Sequence, residues 1–522
     1  MAYYVNEKKS ADCYAVVDLR TGKSAEMTLS DMKACDTRVY GFDGAEITTM
    51  YSALEDFVES MAVYGRLSDG YDKTAEILYR GEYQPLTLLG GIATDVLIAN
   101  NGSLRVPDYI QVLDTKTVGD WQASEKYLIL EMQIPNSVIC IKRSEESVGL
   151  VYCVDYLLIP ENVKGLGLKV FDCAKEMPNV FRYIDIKARL PTIPGHCFVN
   201  SQIGEIHLPD GLREISAFAF SEVSFDKFPQ FPDSLVSLGA YSFFGASLGT
   251  DVLTLREGLE LGMRCFMESS VKEVDLYSND KDVLDGVFPS CRNLTKVHLH
   301  NLTVLVDTMF SNCKNLTEVT GSENIRVFGI NCFGHCSNLK DFRFGDVIYS
   351  IDSMAFDSTG LHGLIELHFP DNWEESEEHE TFINMFAFQN CKDIQHLKIT
   401  GCIWLLYEGF CSGLTSVSTV DLSGACTNNL HLGAFSMPDK VTVLYLPRHM
   451  RMIHVDAVEH SGDLQVLRLP EIVDNFGDEE EAIINVLTKD LPYRVEVYKD
   501  SPMEKWCQEN GVHYAYADCE GC

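Results

Sequence analysis

The sequence predicts a repeat solenoid of the α/β class, in which a parallel sheet runs along one face of a stack of similar units. Phenylalanines recur at steps of 22 or 23 residues over much of the chain, and a short run of alternating apolar and polar residues follows many of them. Self-similarity at a fixed period is typical of stacked repeats, which bury one continuous core between neighbours. The anchor positions are Phe171, Phe198, Phe220, Phe243, Phe266, Phe288, Phe310, Phe333, Phe356, Phe388, Phe410, Phe435 and, in the last slot, Val458.

The anchors share their apolar surroundings. A cysteine lies three positions after several of them, as in Cys313 after Phe310, and the run that follows alternates, which indicates a strand with one buried face. We therefore predict about thirteen units of 22–23 residues, each with a short helical turn around the phenylalanine, then the cysteine slot, then a strand. The apolar residues five positions before the anchors are Leu166, Ile193, Ile215, Leu238, Leu261, Val283, Leu305, Phe328, Ile351, Ile383, Leu405, Leu430 and Ile453.

Two hexapeptides and three strand ends show the unit in its clearest form. The segments at 351–356 and 430–435 read IDSMAF and LHLGAF, and the strands at 206–209, 444–447 and 467–470 each end in proline. This pattern resembles the BspA-like leucine-rich repeat over about residues 155–470. The resemblance implies a right-handed leucine-rich-repeat array with a parallel sheet on one face. It also implies relatives that are mostly surface or secreted binding proteins of bacteria and some protists.

The repeat pattern divides the chain into three predicted regions. Residues 1–150 form an N-terminal α/β domain of unknown role, residues 151–470 hold the leucine-rich repeats, and residues 471–522 form a C-terminal α/β capping unit. A terminal unit of this kind covers the core that the last repeat would otherwise expose.

Local signals predict the elements of the two end regions. Thr28 followed by Asp31 is a capping-box-like helix start, and helical spacing of apolar residues predicts a helix over 48–65. In the capping unit, a helix over 501–510 is expected to bury Trp506. The other predicted elements are strands over 14–18, 495–498 and 512–516 and a helix that begins at Asp478.

The charge balance excludes one class of partner and favours another. Aspartate and glutamate outnumber lysine and arginine 77 to 42, which leaves a formal net charge of -35. Such a chain repels phosphate backbones unless it carries a local basic stripe, and none is visible, so we predict no nucleic-acid partner. A protein partner, especially a basic one, fits the charge better.

The N-terminus and the cysteines bear on location. Residues 1–18 contain no apolar stretch of signal-peptide length, and no run of about 18 apolar residues occurs anywhere, which predicts no membrane span. Most of the 18 cysteines occupy apolar repeat positions, where a free thiol behaves as a small hydrophobic group. These features favour the cytoplasm, and the alternative is a cell-surface or secreted protein exported by a non-classical route.

No catalytic, cofactor-binding or metal-binding set emerges from the motifs. The tripeptide at 22–24 resembles the end of a phosphate-binding loop, but Val17 stands where the first glycine is required. Cys519 and Cys522 form a single C-x-x-C, for which a frayed thiol tail and a redox or metal role are both open. We therefore predict no enzyme activity, no cofactor and no metal.

The outward positions of the predicted strands form the candidate partner-binding sheet face. Alternation places every second residue opposite to the core. An ordinary polar face and a recognition stripe both fit this pattern, and extended solenoid surfaces often bind partners. Four histidines are predicted to share one column, where protonation near neutral pH would make binding pH-sensitive. The candidate residues are Glu205, His207, Glu273, Asp275, Lys296, His298, Asp341, Arg343, Glu366, His368, His396, Lys398, Tyr445 and Arg468.

An acidic insertion lengthens one unit. The step from Phe356 to Phe388 is ten residues longer than a 22-residue unit. Insertions in solenoids map to loops on one face. A solvated acidic loop and a docking site for a basic partner, anchored by an aromatic residue, are both open. The candidate docking residues are Trp373, Glu374, Glu375, Glu377 and Glu378.

Three functions fit these observations. The first is a non-enzymatic interaction or scaffold protein that binds a macromolecular partner through the sheet face. The second is a surface-exposed or secreted adhesin. The third is an effector in which residues 1–150 carry an activity and the repeats recognise the target. Fold resemblance alone does not choose among them.

Overall fold

The computed structural model describes residues 128–143, 153–175, 178–277, 286–407, 409–410, 413–430, 435–436, 440–450, 458–459, 463–473 and 492–517, together with Asp31 and short strands before residue 115. These residues belong to two compact units. The first unit comprises Met1–Asp251 and Leu259–Ser269, and the second comprises Val252–Gly258 and Ser270–Cys522.

The described residues up to 261 include a series of strands. They are β1 (Ala2–Ser10), β2 (Cys13–Asp18), β3 (Ser24–Thr28), β4 (Arg38–Val39), β5 (Thr74–Tyr79), β6 (Glu82–Leu89), β7 (Ile92–Asp95), β8 (Gly102–Arg105), β9 (Val112–Asp114), β10 (Leu128–Gln133), β11 (Cys140–Lys142), β12 (Cys153–Ile159), β13 (Gly165–Leu166), β14 (Val180–Ile186), β15 (Thr192–Ile193), β16 (Gln202–His207), β17 (Glu214–Ile215), β18 (Ser224–Phe225), β19 (Ser237–Leu238), β20 (Val252–Leu255) and β21 (Glu260–Leu261). All except β20 belong to the first unit.

Parallel pairing dominates the first unit. A nine-stranded sheet has the order β18-β16-β14-β12-β10-β8-β5-β6-β7, and its pairs from β8 to β18 are parallel. The strand series β9-β11-β13 and β15-β17-β19-β21 form separate parallel sheets, while β1 to β4 form a small sheet of their own. The parallel ladder thus reaches back to residue 102, within the region predicted to form a separate N-terminal domain.

The second unit continues the same architecture. Its further strands are β22 (Glu273–Tyr277), β23 (Lys296–His300), β24 (Val304–Leu305), β25 (Glu318–Thr320), β26 (Val327–Phe328), β27 (Ser350–Ile351), β28 (His362–His368), β29 (Phe382–Ile383), β30 (Asp393–Leu406), β31 (Thr419–Leu430), β32 (Phe435–Ser436), β33 (Val443–Tyr445), β34 (His449–Met450), β35 (Val458–Glu459), β36 (Val466–Arg468), β37 (Ile472–Val473), β38 (Arg494–Val497) and β39 (Tyr514–Tyr516). Among its described residues are the helices α1 (Trp373–Glu378) and α2 (Pro502–Asn510) and a 3-10 turn over Ser322–Asn324.

Two large sheets organise these strands. One has the order β20-β22-β23-β25, and the other contains thirteen strands between β24 and β39. In a separate pair, Phe435 of β32 lies in register with Val458 of β35, as expected if both occupy the anchor slot. The predicted solenoid with a parallel sheet is confirmed.

The anchor phenylalanines form the core of both units. Every anchor from Phe171 to Phe410 is fully buried, which confirms the role predicted from their period. In the first unit the ring of Phe220 stacks between those of Phe198 and Phe243, with centroids 5.3 Å away on either side. Offset stacking at this distance is favourable for aromatic pairs, and the rings also bury large apolar areas. Within the first unit, the stacked rings from Phe171 to Phe266 therefore form one column, to which each repeat adds a ring.

One position of the predicted pattern is shifted by a residue. Most residues predicted five positions before an anchor are buried, but Leu166 and Leu405 are only half-buried. In the repeat that contains Leu405, Leu406 pairs with Ile383 and is fully buried instead. In the repeat anchored by Phe410, the buried residue Leu406 therefore lies four positions before the anchor rather than five.

The turns around the anchors are not helical, so the prediction of a short helical turn is wrong. Around Phe220, the left-handed residues Phe218 (φ 58°) and Glu222 (φ 56°) bend the chain. The local hydrogen bonds close single turns, such as the one from the Ser221 N–H to the Phe218 carbonyl at 3.2 Å, and others join neighbouring repeats. The Phe220 N–H donates to the Ser242 carbonyl of the next repeat at 2.8 Å. These turns therefore extend the ladder of backbone hydrogen bonds around the repeat.

The two left-handed positions recur in nearly every described turn, two residues before and two residues after the anchor. A positive φ is uncommon for residues with a side chain, because the Cβ approaches the backbone. The positions before the anchors are Lys169, His196, Phe218, Tyr241, Arg264, Thr308, Asn331, Met354 and Phe386, and those after them are Asn200, Glu222, Gly245, Glu268, Ser290, Asn312, His335, Ser358 and Asn390.

The cysteines that follow the anchors fill small slots in the core. Cys313, Cys336 and Cys391 are fully buried, as predicted. Each thiol contacts the carbonyl of an earlier anchor; the Cys336 sulfur lies 3.2 Å from the Phe310 oxygen. An S–H group is a weak donor that can satisfy a carbonyl inside the core. Burial raises the pKa of Cys336 to about 12 and that of Cys391 to about 11.

We expect these thiols to resist alkylation in the native state. At pH 8 a thiol with a pKa of about 12 is ionised in roughly one molecule in 10,000, and the thiolate is the reactive form. Iodoacetamide followed by peptide mass spectrometry should label Cys336 and Cys391 in guanidinium but not in buffer. Unfolded thiols lose protons near pH 9 while the folded ones keep theirs, so the free energy of unfolding should fall above pH 9. Equal labelling in both solvents would contradict the core assignment.

The last strands and helix α2 follow the final repeat. Strand β38 pairs in parallel with β36, and β39 pairs with β38. Helix α2 begins after Ser501, whose Oγ accepts a hydrogen bond from the Glu504 N–H at 3.0 Å, and ends at the left-handed Gly511. Trp506, predicted to be buried, is only half-buried, because the inward face of the helix is centred on Met503 and Cys507.

In the N-terminal region the structure describes the predicted capping interaction. The Thr28 N–H donates to Asp31 Oδ2 at 2.9 Å, and the Asp31 N–H donates to Thr28 Oγ1 at 3.1 Å. The hydrogen bond from the Thr28 side chain holds the pKa of Asp31 below its usual value. Several predicted features lie outside the described residues, namely the helix over 48–65, the helix that begins at Asp478, Gly22, Lys23, Cys519 and Cys522.

Candidate functional site

One outward row of the second unit crosses six strands. Neighbouring strands lie about 4.8 Å apart, so side chains at the same register position contact one another. Lys398 Nζ is 3.3 Å from Glu366 Oε1, and the Arg468 guanidinium carbon lies 3.7 Å from the centre of the Tyr445 ring. The row, called the Glu366 row below, consists of Glu366, Lys398, Asp421, Tyr445, Arg468 and Glu496.

The far end of the Glu366 row is a buried ion pair. Arg468 Nη2 and Nε lie 3.0 and 3.1 Å from Glu496 Oε2, and both residues are buried. Arg494 Nη2 is 2.8 Å from the other Glu496 oxygen. The prediction of Arg468 as an exposed partner contact is therefore wrong, because the capping strand β38 places Glu496 beside it. A desolvated arginine held by two hydrogen bonds orders the cap rather than meeting a partner.

A second group of predicted residues comes together on strands β22 and β23. His298 links three strands, since its Nε2 is 3.2 Å from Glu273 Oε1 and its Nδ1 is 2.8 Å from Thr320 Oγ1. Lys296 Nζ is 3.1 Å from Glu318 Oε2. The predicted residues on these two strands are Glu273, Asp275, Lys296 and His298.

The four predicted histidines do not share a column. In the paired strands β28 and β30, His368 is opposite Thr400, whereas His396 is opposite Leu364. His298 belongs to a different sheet. Register shifts within β28 and β30 add to the separation. Alternation identifies the outward face but not the row, so the predicted histidine column is wrong.

In the first unit, Glu205 and His207 belong to one polar cluster. Tyr183 OH is 2.9 Å from His207 Nδ1, and His207 Nε2 is 3.4 Å from Glu205 Oε1. Lys227 Nζ donates to the same Glu205 oxygen at 2.7 Å. This hydrogen bond is the main reason that the pKa of Glu205 lies below its usual range.

The neighbours of this cluster are not among the residues predicted from the sequence. Tyr156 stacks on Tyr183 with ring centroids 5.4 Å apart, and Lys187 Nζ lies 3.0 Å from Asp185 Oδ2. Burial is the first cause that raises the pKa of Tyr156, and the Asp185 charge is the second. The signal was weak because strict alternation fails at Arg182 and Tyr183, where two successive residues avoid burial.

Asp341 and Arg343 are exposed, as predicted, but they do not lie in a strand. Asp341 Oδ1 is 3.4 Å from His362 Nε2. Between the two, Phe342 turns inward, and its ring centroid lies 5.3 Å from that of the anchor Phe356. Packing of this bulky ring displaces the segment from the ladder, so the expected strand does not form here.

The acidic insertion contains helix α1 rather than a free loop. Asn372 caps the helix by accepting a hydrogen bond from the Glu375 N–H at 2.8 Å. Tyr349 OH donates to Glu375 Oε1 at 3.2 Å, and Trp373 is half-buried. The expectation of a loop is therefore wrong, and the Glu375 carboxylate already accepts a hydrogen bond from Tyr349. Of the other candidates, Glu374 and Glu378 are exposed, and the Glu377 side chain lies outside the described residues.

The structure also bears on metals, membranes and cysteines. Among the described residues, no three His, Cys, Asp or Glu side chains are grouped so that they could hold a metal ion. No helix within the described ranges combines the length and apolar character needed to cross a membrane. Among the cysteines whose side chains the structure describes, all except the half-buried Cys426 are buried. Burial shields thiols from oxidants in any compartment, so these cysteines do not distinguish a cytoplasmic from a surface location.

The chain belongs to the BspA-type leucine-rich repeat family. The family profile, described as a BspA type leucine rich repeat region in six copies, matches residues 125–250, 177–279, 259–379 and 372–480. These matches cover more than half of the chain and include both units. No curated protein matches the sequence.

Solved leucine-rich repeat structures resemble the chain at low identity. A leucine-rich repeat protein from Bacteroides ovatus is 14% identical, with a TM-score of 0.34, over 85% of this chain and 98% of its own. One from Eubacterium ventriosum is 16% identical, with a TM-score of 0.34, over 65% and 81%. A leucine rich cell surface protein from Faecalibacterium prausnitzii is 14% identical, with a TM-score of 0.28, over 62% and 92%.

Proposed function

We propose that the chain is a non-enzymatic binding protein that engages a protein partner through the outward sheet face of its second unit. The observation that carries this proposal is the pair of exposed cross-strand ion pairs, Lys296 with Glu318 and Lys398 with Glu366. The side chains of these residues are between 46% and 61% exposed. Exposed ion pairs contribute only about 0–1 kcal/mol to stability, so the fold does not need them.

The geometry of this face suits an extended partner surface. Adjacent strands present charged groups at fixed register, and the Glu366 row continues over several strands. The partner's charged groups can replace the ion-pair partners at little cost, because both members remain hydrated. Charges arranged in this way act mainly on specificity and association rate. The exposed members Lys296 and Lys398 are therefore the groups to test.

The adhesin alternative uses the same face. Membership of the BspA-type family favours it, because the resemblance implies relatives at the surface or outside the cell. A scaffold within the cell and an adhesin outside it differ in the source of the partner, so both sources need to be searched. The effector alternative depends on residues 1–150, most of whose side chains lie outside the described residues.

The test compares two double variants with the same charge change. K296E/K398E reverses two lysines on the sheet face, and K314E/K392E reverses two exposed lysines in turns. Partners captured by the wild-type chain, from lysate of the source organism and from intact host or neighbour cells, are quantified for each variant. We expect at least a tenfold loss with K296E/K398E and full capture with K314E/K392E. Equal capture by the two variants, with matched thermal melting, would refute the proposed face.

A further inference from the structure

The first unit contains a cleft of about 910 Å³ at the carboxyl ends of its long strands. The sequence explains it. Strand β18 pairs with β16 only at Gln202 and Ile203. After Asp226 and Lys227, the residues from Phe228 to Pro232 read FPQFP. A proline has no N–H to donate to a ladder, so the chain leaves the sheet here and the cleft opens between this segment and β16.

The departure of this segment leaves part of an edge without a strand partner. On one side, β16 pairs with β14 as far as His207. On the other, the last backbone hydrogen bond to the following segment joins the Lys227 N–H to the Gly204 carbonyl at 3.0 Å. Within residues 178–277, no strand pairs with the segment from Glu205 to His207 on that side. Extended peptides bind to such edges by adding a strand.

The walls of the cleft differ in character. The FPQFP segment supplies an apolar wall, in which Phe228 and Phe231 stand 5.3 Å apart in an edge-to-face arrangement. The opposite side carries the buried Asp185 and the partly exposed Glu205, whose Oε1 lies 2.7 Å from Lys227 Nζ and 3.4 Å from His207 Nε2. A basic side chain can compete with Lys227 for the Glu205 carboxylate, and the net charge of -35 on the chain attracts it.

We propose that this cleft binds an extended peptide segment that carries alternating apolar and basic side chains. The peptide backbone adds to the β16 edge at Glu205–His207. Its apolar side chains rest on Phe228 and Phe231, and a basic side chain reaches Glu205. The proposal extends the proposed function with a second site and a partner chemistry, and uses none of the residues tested on the sheet face of the second unit.

Gly211 provides a way to block the cleft. It lines the cleft, and a Cβ at this position meets no atom within 4 Å. Gly211→Trp therefore places a large ring at the cleft without a backbone clash, and Gly211→Ala is the matched control. Glu205→Gln removes the carboxylate charge, and Glu214→Gln removes an exposed charge outside the cleft lining.

The experiment screens a displayed library of random nonapeptides against the full chain. Recovered peptides are synthesised, and their binding is measured by fluorescence anisotropy. We expect alternating apolar and basic sequences, at least a tenfold weaker affinity with Gly211→Trp and about threefold weaker with Glu205→Gln. Neither control should change the affinity. Methylation of alternate peptide amides, which removes strand hydrogen bonds without touching the protein, should abolish binding in one of the two registers.

Three results would overturn the proposal. They are failure to recover any peptide, equal affinity for Gly211→Trp and Gly211→Ala, and indifference to amide methylation in both registers. If Gly211→Trp melts at a lower temperature than wild type, the proposal is judged by the Glu205→Gln affinity and by the methylated peptides instead. Loss of peptide binding with intact partner capture by the sheet face would reject this inference alone, and the reverse result would reject only the proposed function.

Discussion

Replacing Phe220 by alanine should lower the free energy of unfolding by about 3–5 kcal/mol, the usual cost of removing a buried aromatic side chain. Phe220 is fully buried, and its ring is held between those of Phe198 and Phe243. The backbone around Phe220 is fixed by hydrogen bonds to the next repeat, so the turn cannot collapse into the cavity left by the ring. Urea denaturation followed by circular dichroism measures the change.

Phe244→Ala is the matched control for this prediction. Phe244 also lies in the first unit but is half-buried, and its ring centroid lies 6.0 Å from that of Tyr241. Its removal should cost on the order of 1 kcal/mol. A comparable loss for both variants would show that the column of stacked anchors has no special weight in the stability of the first unit.

The sequence was sufficient for the repeat and its core because these depend on residue type. A position inside a stack must be filled by a side chain of the right volume, so the anchor phenylalanines and the cysteines after them recur visibly. Cys313 and Cys336, for example, meet equivalent carbonyls in successive units. The period of the repeat therefore predicts both the solenoid architecture and the identity of most buried residues.

The turns were not predictable by the same reasoning. Their left-handed positions are occupied by residues as different as Arg264, Thr308 and Met354, none of which signals a positive φ. The conformation is imposed by hydrogen bonds between successive units, for instance from the Thr308 N–H to the Ile330 carbonyl at 2.8 Å. Local propensity favours a helical turn at such sequences, and the stacking of neighbours overrides it.

The candidate sites were predictable only in part, for a related reason. Alternation marked Glu366 and Lys398 as outward, and their contact follows from the register of the two strands. The burial of Arg468 depends on Glu496 in the cap, which lies beyond the repeats. The cleft beside β16 depends on where pairing stops, and that is a relation between two segments rather than a property of either.

Gly401→Ala should destabilise the second unit by more than about 3 kcal/mol, because the added Cβ is strained by the left-handed backbone and also clashes with a neighbouring segment. Gly401 has φ +88°, and a Cβ there would lie 2.1 Å from the carbonyl oxygen of Phe369. The Phe369 side chain is fully buried, and its N–H donates to the Thr400 carbonyl at 2.9 Å. The Phe369 backbone therefore cannot move away from an added Cβ at residue 401. Urea denaturation of the full chain measures the loss.

Gly363→Ala separates the two penalties. Gly363 has φ +72°, close to that of Gly401, and an added Cβ meets nothing within 4 Å. It should therefore show the conformational cost alone, about 1 kcal/mol. The difference between the variants then measures the close approach of β30 to the chain beneath it. If Gly401→Ala cost no more than Gly363→Ala, the backbone at Gly401 would be able to move away from Phe369, and the close approach of the two segments would not depend on this glycine.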